Sequence, residues 1–465
     1  MHRMDAMRAD ASSKQLFLRH ALLPGGWARD VLLSIENGFV TSVAENASSA
    51  GAEIISGVAL PGLPNLHSHA FQRGMAGLTE IRGATQDSFW TWRQLMYRFL
   101  DALTPDDVEA IATFAYAEML EAGFTSVAEF HYLHHDEHGR PYADLGEMAG
   151  RLAAAANATG IGITLLPSFY NFSSFGGAAA IHGQRRFTND PARFLALLEK
   201  SRAAIAGVDD AVIGIAPHSL RAITPATLHE VLASFPHGPI HIHVAEQVKE
   251  VEDCVAWSGQ TPVAWLLDHE SVDQRWVLIH ATHMTVEEAA GVAASGATIG
   301  LCPLTEASLG DGIFAGPSFL NAGGRFGVGT DSNIEITAPG ELKQLEYSQR
   351  LRYRIRNVVA RNEGQSTGRA LYEHALAGGA RAVGRAVGSL AVGQRADLVV
   401  LDLAHPDLAA ISGDRWLDAY TFVAGRSAIS AVWVAGRQVV EAGRHRRHAS
   451  IVARYQRTMK RLVDL

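Results

Sequence analysis

Pro61-Gly-Leu-Pro-Asn-Leu-His67-Ser-His69 decides how the chain is read. The apolar run Val58-Ala59-Leu60 leads into it, the pattern of a short buried strand that ends in a turn-rich segment. Side chains alternate along a strand, so His67 and His69 leave an extended chain on the same side. Two imidazoles aimed at one point suit a metal ion, although His-x-His alone is a weak signal. Three further stretches strengthen it: His243 and Glu246 in His-Ile-His-Val-Ala-Glu, His280 in Leu-Ile-His-Ala-Thr-His, and Asp331 in Val-Gly-Thr-Asp-Ser. Each closes a short apolar, β-branched run. Four strand ends meeting on one face predict the active-site end of a (β/α)8 barrel.

Working outward, the middle of the chain alternates apolar strands with helical segments, the pattern of a parallel barrel. Val58–Leu66, Thr125–His131, Ile161–Pro167, Ala211–Pro217, Pro239–His243, Trp276–His280, Ala297–Cys302 and Phe326–Asp331 supply eight strands. Thr104-Pro105 opens a helix with a capping threonine and a first-turn proline, and Gly123 closes it. Lys14–Arg19, Asp30–Glu36 and Phe39–Ala44 read as strands, with Pro24-Gly25-Gly26 and Asn37-Gly38 as turns. Residues 388–442 have the same character. The expected fold class is therefore α/β: a (β/α)8 TIM-type barrel over 61–387, with a small β-sandwich domain built from both chain ends, 1–60 and 388–445. Residues 446–465 should form a helix, solvated on the outside.

The 465 residues carry a net charge of −8, which leaves no basic surplus for phosphates and excludes non-specific nucleic-acid binding. No apolar run is long enough for a membrane span, and residues 1–10 lack the apolar core of a signal peptide. The two cysteines, Cys254 and Cys302, fit a reducing compartment. A cytoplasmic protein, a homodimer, is expected.

A hydrolytic zinc site uses His and carboxylate ligands and keeps a position open for water. His67, His69, His243 and Asp331 are the candidate ligands of one divalent metal per chain, zinc being the expected ion. His241 shares the strand phase of His243; the strand end favours His243. His280 is placed to accept the proton of the attacking water, with Asp331 helping, and Glu246 to carry a proton to a leaving nitrogen. The ordinary alternatives are a hydrogen-bonded core histidine and an exposed glutamate at a helix start.

These motifs together resemble the amidohydrolase superfamily over nearly the whole chain, and the deaminase and chlorohydrolase branch in particular. The resemblance implies a mononuclear site, because the binuclear branch needs a lysine on the fourth strand and 211–221 contains none. Several stretches are similar to the formimidoylglutamate deiminase family: His69-Ala-Phe-Gln72-Arg-Gly-Met, Phe89-Trp-Thr-Trp-Arg93-Gln-Leu-Met-Tyr, Glu129-Phe-His-Tyr132-Leu-His-His, Ala216-Pro-His218-Ser-Leu-Arg221-Ala, and Cys302-Pro-Leu-Thr-Glu306-Ala-Ser-Leu-Gly-Asp311-Gly. The last departs from the family pattern at Leu304 and Ser308. The resemblance implies hydrolysis of N-formimino-L-glutamate to N-formyl-L-glutamate and ammonia, with substrate contacts at Gln72, Arg93, Tyr132, His218 and Arg221. Physics agrees: a small-molecule dicarboxylate calls for guanidinium forks, and Arg93 and Arg221 are the candidates. A deaminase of a purine, pterin or nucleoside is the alternative within the same chemistry. A catalytically dead barrel serving as a binding protein is the alternative outside it, and the full set of ligands and proton carriers speaks against it.

Overall fold

The computed structural model describes residues 13–84 and 87–463. The leader reading of residues 1–10 and the last two residues of the expected terminal helix lie outside them.

Both chain ends build one eight-stranded sheet. Lys14–Leu23 pairs antiparallel with Gly26–Glu36, which pairs with Phe39–Ala44. Asn37 (φ 51°) and Gly38 (φ 81°) both sit in the left-handed region, as an Asn-Gly hairpin turn requires. Glu53–Pro61 pairs parallel with Lys14–Leu23 and antiparallel with Leu398–Leu401, joining the N-terminal strands to Ile429–Val434, Arg437–Glu441 and Arg444–His445. Alternate residues of these strands, among them Leu16, Leu18, Val31, Leu33, Leu398, Val400 and Trp433, enclose a separate apolar core. At its far edge Ala396 N donates to Gly38 O (2.9 Å) and Val40 N to Gln394 O (2.8 Å).

The expected strand Val58–Leu66 proves to be two. Val58–Pro61 ends the terminal sheet, and Leu63–Ser68 begins a parallel one. The break falls at Gly62, where a Cβ would lie 2.2 Å from Thr125 Cγ2, so the threonine side chain fills the space any other residue would need. Parallel pairing then runs through Leu63–Ser68, Phe124–His131, Gly162–Phe169 and the fourth strand. That fourth strand is broken into Val212–Ile213 and Ala216–Pro217, where one run was expected. A second parallel sheet orders Ile240–Val244, Trp276–His280, Thr298–Leu301 and Arg325–Val328. Parallel bridges Ile215↔Ile240 and Ser219↔His243 join the sheets on one side, and Ser68↔Asp331 joins them on the other. Most residues of these strands are buried, as the apolar runs imply.

The C-terminal helix, His448–Val463, is not free in solvent as expected. It lies along the helix Pro105–Glu121: Tyr455 stacks on Phe114 (4.1 Å between ring centroids), Arg454 pairs with Glu109 (2.6 Å), and Arg461 with Asp107. Ile451 and Leu462 are buried beneath it, so its apolar stripe carries the contact and its basic face carries the ion pairs. No helix among the described residues is long and apolar enough to cross a membrane.

Candidate active site

The C-terminal ends of the parallel strands bring His67, His69, His243 and Asp331 together. One ligand atom from each lies within 4.8 Å of all the others, and all four residues are buried. Neighbouring groups set the ring orientations. His69 Nδ1–H donates to Phe130 O (2.7 Å) and His243 Nδ1–H to His218 O (3.0 Å), which leaves both Nε2 lone pairs facing the centre. His67 Nε2 lies 3.1 Å from His243 Nε2 and 3.3 Å from Asp331 Oδ1; His69 Nε2 is also 3.3 Å from Asp331 Oδ1. Burial pushes His67 down to about 3 and holds His69 and His243 below their ordinary values. Burial opposes the Asp331 carboxylate, but His67, His280 and His69 hold it well below the usual carboxylate range. Three neutral imidazoles and one carboxylate are the ligating forms of these groups. Neutral lone pairs facing one another at this spacing repel unless a cation lies between them, and His67 Nδ1 has no hydrogen-bond partner. The residues therefore fit a divalent metal.

Asn333 secures this convergence. Its Nδ2 lies 3.1 Å from Ser68 Oγ, 3.1 Å from His69 O and 3.0 Å from Asp331 O. Asn65 does the same one turn below: its Oδ1 accepts from Thr330 N (3.1 Å) and its Nδ2 donates to Thr330 Oγ1 (2.7 Å). The strand ends carrying His67, His69 and Asp331 are thus stapled by two buried amides. Ala245, His280, Ala281, Asp331 and Asn333 all have φ between 44° and 66°. Non-glycine residues adopt this left-handed region at a cost of about 1–3 kcal/mol each, and here it clusters around one site.

Glu246 and His280 face each other across the same cavity. His280 Nε2 lies 3.9 Å from Glu246 Oε1 and 3.7 Å from Asp331 Oδ2, while its Nδ1–H donates to Glu306 Oε1 (3.3 Å). Burial raises the Glu246 carboxyl above its ordinary range. Burial works against a charged His280, but Glu246, Glu306 and Asp331 outweigh it and raise its pKa.

The cavity encloses about 570 Å³ of empty space, part of it open to solvent, and is lined by His69, Gln72, Arg93, Tyr132, His218, Arg221, His243, Glu246, His280 and Asp331. His67 sits behind it, fully buried. The candidate ligands, proton carriers and substrate contacts singled out from the sequence therefore meet at one place, and His241 does not join them. Gln72 Nε2 donates to Tyr132 OH (2.8 Å). The guanidinium of Arg93 lies over the Trp90 ring at 4.6 Å and that of Arg221 over the same ring at 5.6 Å. Among the described residues neither arginine makes an ion pair, and Arg221 Nε has no hydrogen-bond partner. His241, the rival of His243, faces elsewhere: its Nε2–H donates to Ala382 O (2.9 Å). Sequence reasoning missed Tyr97, Tyr170 and Phe187, which complete the wall. An aromatic residue taken alone carries no signal that separates wall from core.

A family profile described as the amidohydrolase family matches residues 58–439. The formimidoylglutamate deiminase of Pseudomonas aeruginosa is 52% identical over 432 residues, 92% of this chain and 95% of that protein. The crystal structure of an amidohydrolase from Brucella melitensis superposes with a TM-score of 0.93 at 52% identity, covering 97% of this chain and 100% of that one. A 5-methylthioadenosine/S-adenosylhomocysteine deaminase of Halobacterium salinarum is 26% identical, with 82% of each chain covered.

Proposed function

The chain belongs to the amidohydrolase family, and from that premise we propose that it hydrolyses N-formimino-L-glutamate to N-formyl-L-glutamate and ammonia, a step of histidine degradation. The observation that carries this reading is the pair Arg93 and Arg221, two guanidiniums lining the cavity of the metal-ligand cluster with no acidic partner of their own. The likeness to the Pseudomonas deiminase supports it.

In this reading the parallel strands close into a (β/α)8 barrel over 61–387. Residues 1–60 and 388–445 form a small β sandwich, and 446–465 the terminal helix. His67, His69, His243 and Asp331 hold one divalent ion, zinc. When bound, such an ion supplies the Lewis acidity that makes water a nucleophile near neutral pH. His280 takes the water's proton at Nε2, and the carboxylates of Glu246, Glu306 and Asp331 stabilise the imidazolium that results. Glu246 delivers a proton to the terminal nitrogen of the formimino group, so ammonia departs and the glutamate nitrogen stays. Arg93 and Arg221 take the two carboxylates in bidentate fashion, and Gln72, Tyr132 and His218 position the remainder of the substrate. A cytoplasmic homodimer completes the proposal.

The test is product analysis with the zinc-loaded protein. One ammonia should appear per N-formyl-L-glutamate formed. Release of formamide and glutamate, or turnover of a purine or methylthioadenosine with none of the formimino compound, would replace this function with another.

A further inference from the structure

The Nδ1 face of His280 looks away from the four-ligand centre and into a second donor group, whose thiol the reaction leaves unused. His280 Nδ1, Cys302 Sγ and a Glu306 carboxylate oxygen lie within 4.8 Å of one another, and all three residues are buried. Glu306 Oε1 already links the other two, accepting from His280 Nδ1–H (3.3 Å) and from Cys302 N (2.8 Å).

We propose that His280, Cys302 and Glu306 form a second, weaker site for a thiophilic divalent cation of the zinc and cadmium class, and that loading it stops turnover.

The chemistry of the donors selects the ion. One imidazole nitrogen, one thiolate and one carboxylate oxygen form a mixed set that zinc and its softer relatives accept and that calcium or magnesium does not. Donors around a tetrahedral ion sit roughly 3.3–3.8 Å apart, so pairs at the observed limit must draw in by about 1 Å. That contraction, and the loss of the hydrogen bond between His280 and Glu306, make the site weaker than the four-ligand cluster. The cation enters from the cavity, which His280 lines. It displaces one proton, from the Cys302 thiol to solvent, and moves the proton of the neutral His280 ring from Nδ1 to Nε2. No electrons move. The ring then keeps its single N–H at Nε2, with Nδ1 held by the ion. It can no longer accept a proton at Nε2, and this consequence rests on the role given to His280 above.

The chain has two cysteines, which makes the test clean. Cys254 sits on the helix Val248–Ser258, with its thiol against Ser258 Oγ (3.8 Å). The zinc-loaded holoenzyme is titrated with cadmium ion while the ultraviolet thiolate-to-cadmium charge-transfer band and kcat are followed together. The wild type should gain the band as kcat falls by about 10²-fold or more, the contribution of a proton-transfer group, with KM held. Cys302→Ala should lose both responses, and Cys254→Ser should keep both. Cys302→Ser, which preserves the size of the side chain, gives the same reading if the alanine variant does not fold. No band in the wild type, or a band that survives in Cys302→Ala, overturns the site. A band dependent on Cys302 that leaves kcat untouched keeps the metal site and overturns His280 as the proton acceptor.

Discussion

Two pairs of arginines sit in this chain and are treated in opposite ways. Arg385 and Arg395, with side chains 0% and 2% exposed, are neutralised by neighbours: Arg385 pairs with Asp210 (3.0 Å) and Arg395 with Asp209 (2.8 Å), with the buried Asp397 close by. They tie residues 385–397 to the turn before Val212–Ile213. Arg93 and Arg221 line the catalytic cavity and share one indole, Trp90, in place of a carboxylate. A desolvated charge without a counter-ion is costly, and a fold that needs only stability replaces or pairs it. The pair that holds the chain together has carboxylates at ion-pair distance. The pair without such a contact lines the cavity proposed to receive an anionic substrate, with only the more distant Glu250 and Glu246 acting on Arg221. Cation–π contact with Trp90 contributes about 0.5–2 kcal/mol, enough to orient the guanidiniums and too little to replace a carboxylate.

The largest effects should come from the groups beside the unsatisfied pair that act on the reacting atoms. His67→Ala or His69→Ala should remove metal and activity together. Glu246→Gln and His280→Asn should keep the metal, measured by elemental analysis, and lower kcat by roughly 10²–10⁴-fold. Near-normal kcat in either would return that residue to a structural role.

Next come the unpaired arginines. Arg93→Met or Arg221→Met should lower kcat/KM for N-formimino-L-glutamate by about 2–4 kcal/mol in transition-state terms. Thermal unfolding of Arg93→Met should show Tm little changed, because that half-buried guanidinium contacts an indole and no carboxylate. A marked fall in Tm would place Arg93 with the structural pair.

Arg395→Met should do the reverse. It removes one of the cations around Asp209, Asp210 and Asp397, where Arg385 and Arg437 remain, and should cost about 2 kcal/mol of stability, less than a fully buried pair because Asp209 and Asp210 keep some contact with water. Activity per folded molecule should hold within about twofold, which denaturant titration beside kcat measurement will show.

The smallest effect is on pH dependence. Glu129 is buried beside the His67–His69 segment, where Oε1 accepts from Ala70 N (2.7 Å) and Oε2 has no partner. Burial raises its carboxyl from the ordinary 4.5 to about 8. A raised pKa in the fold favours the protonated form, so this contribution is complete below 4.5 and is lost as pH rises through about 8. Glu129→Gln should flatten that decline, so the variant's unfolding free energy falls less between those two pH values. An unchanged slope in the variant would show that another group titrates there.

The ligand set was legible in the sequence because strand alternation is strict. His67 and His69 share a phase, and each remaining ligand ends an apolar run. The choice between His241 and His243 was not decided by phase; it depended on how far along the strand the candidate ligands gather, and Ala382 O takes the deeper ring. The run Val58–Leu66 read as one strand because Gly62 does not change its apolar character. Only the approach of Thr125 from a strand distant in sequence divides it. The terminal helix was read as solvated because its basic residues dominate its composition; the acidic partners, Asp107 and Glu109, lie more than three hundred residues earlier. The joint seat of Arg93 and Arg221 on Trp90 was equally hidden, since it unites a helix after the first strand with a loop after the fourth.

The most direct measurement of the central claim is kcat/KM for ammonia release from N-formimino-L-glutamate beside that for a simple formamidine lacking carboxylates, in the wild type and in Arg93→Met and Arg221→Met. The wild type should prefer the dicarboxylate by at least about 10²-fold, and each substitution should erase most of that preference while scarcely changing the formamidine. Equal losses for both substrates, or no preference in the wild type, would contradict the assignment of the unpaired guanidiniums as the carboxylate receptor.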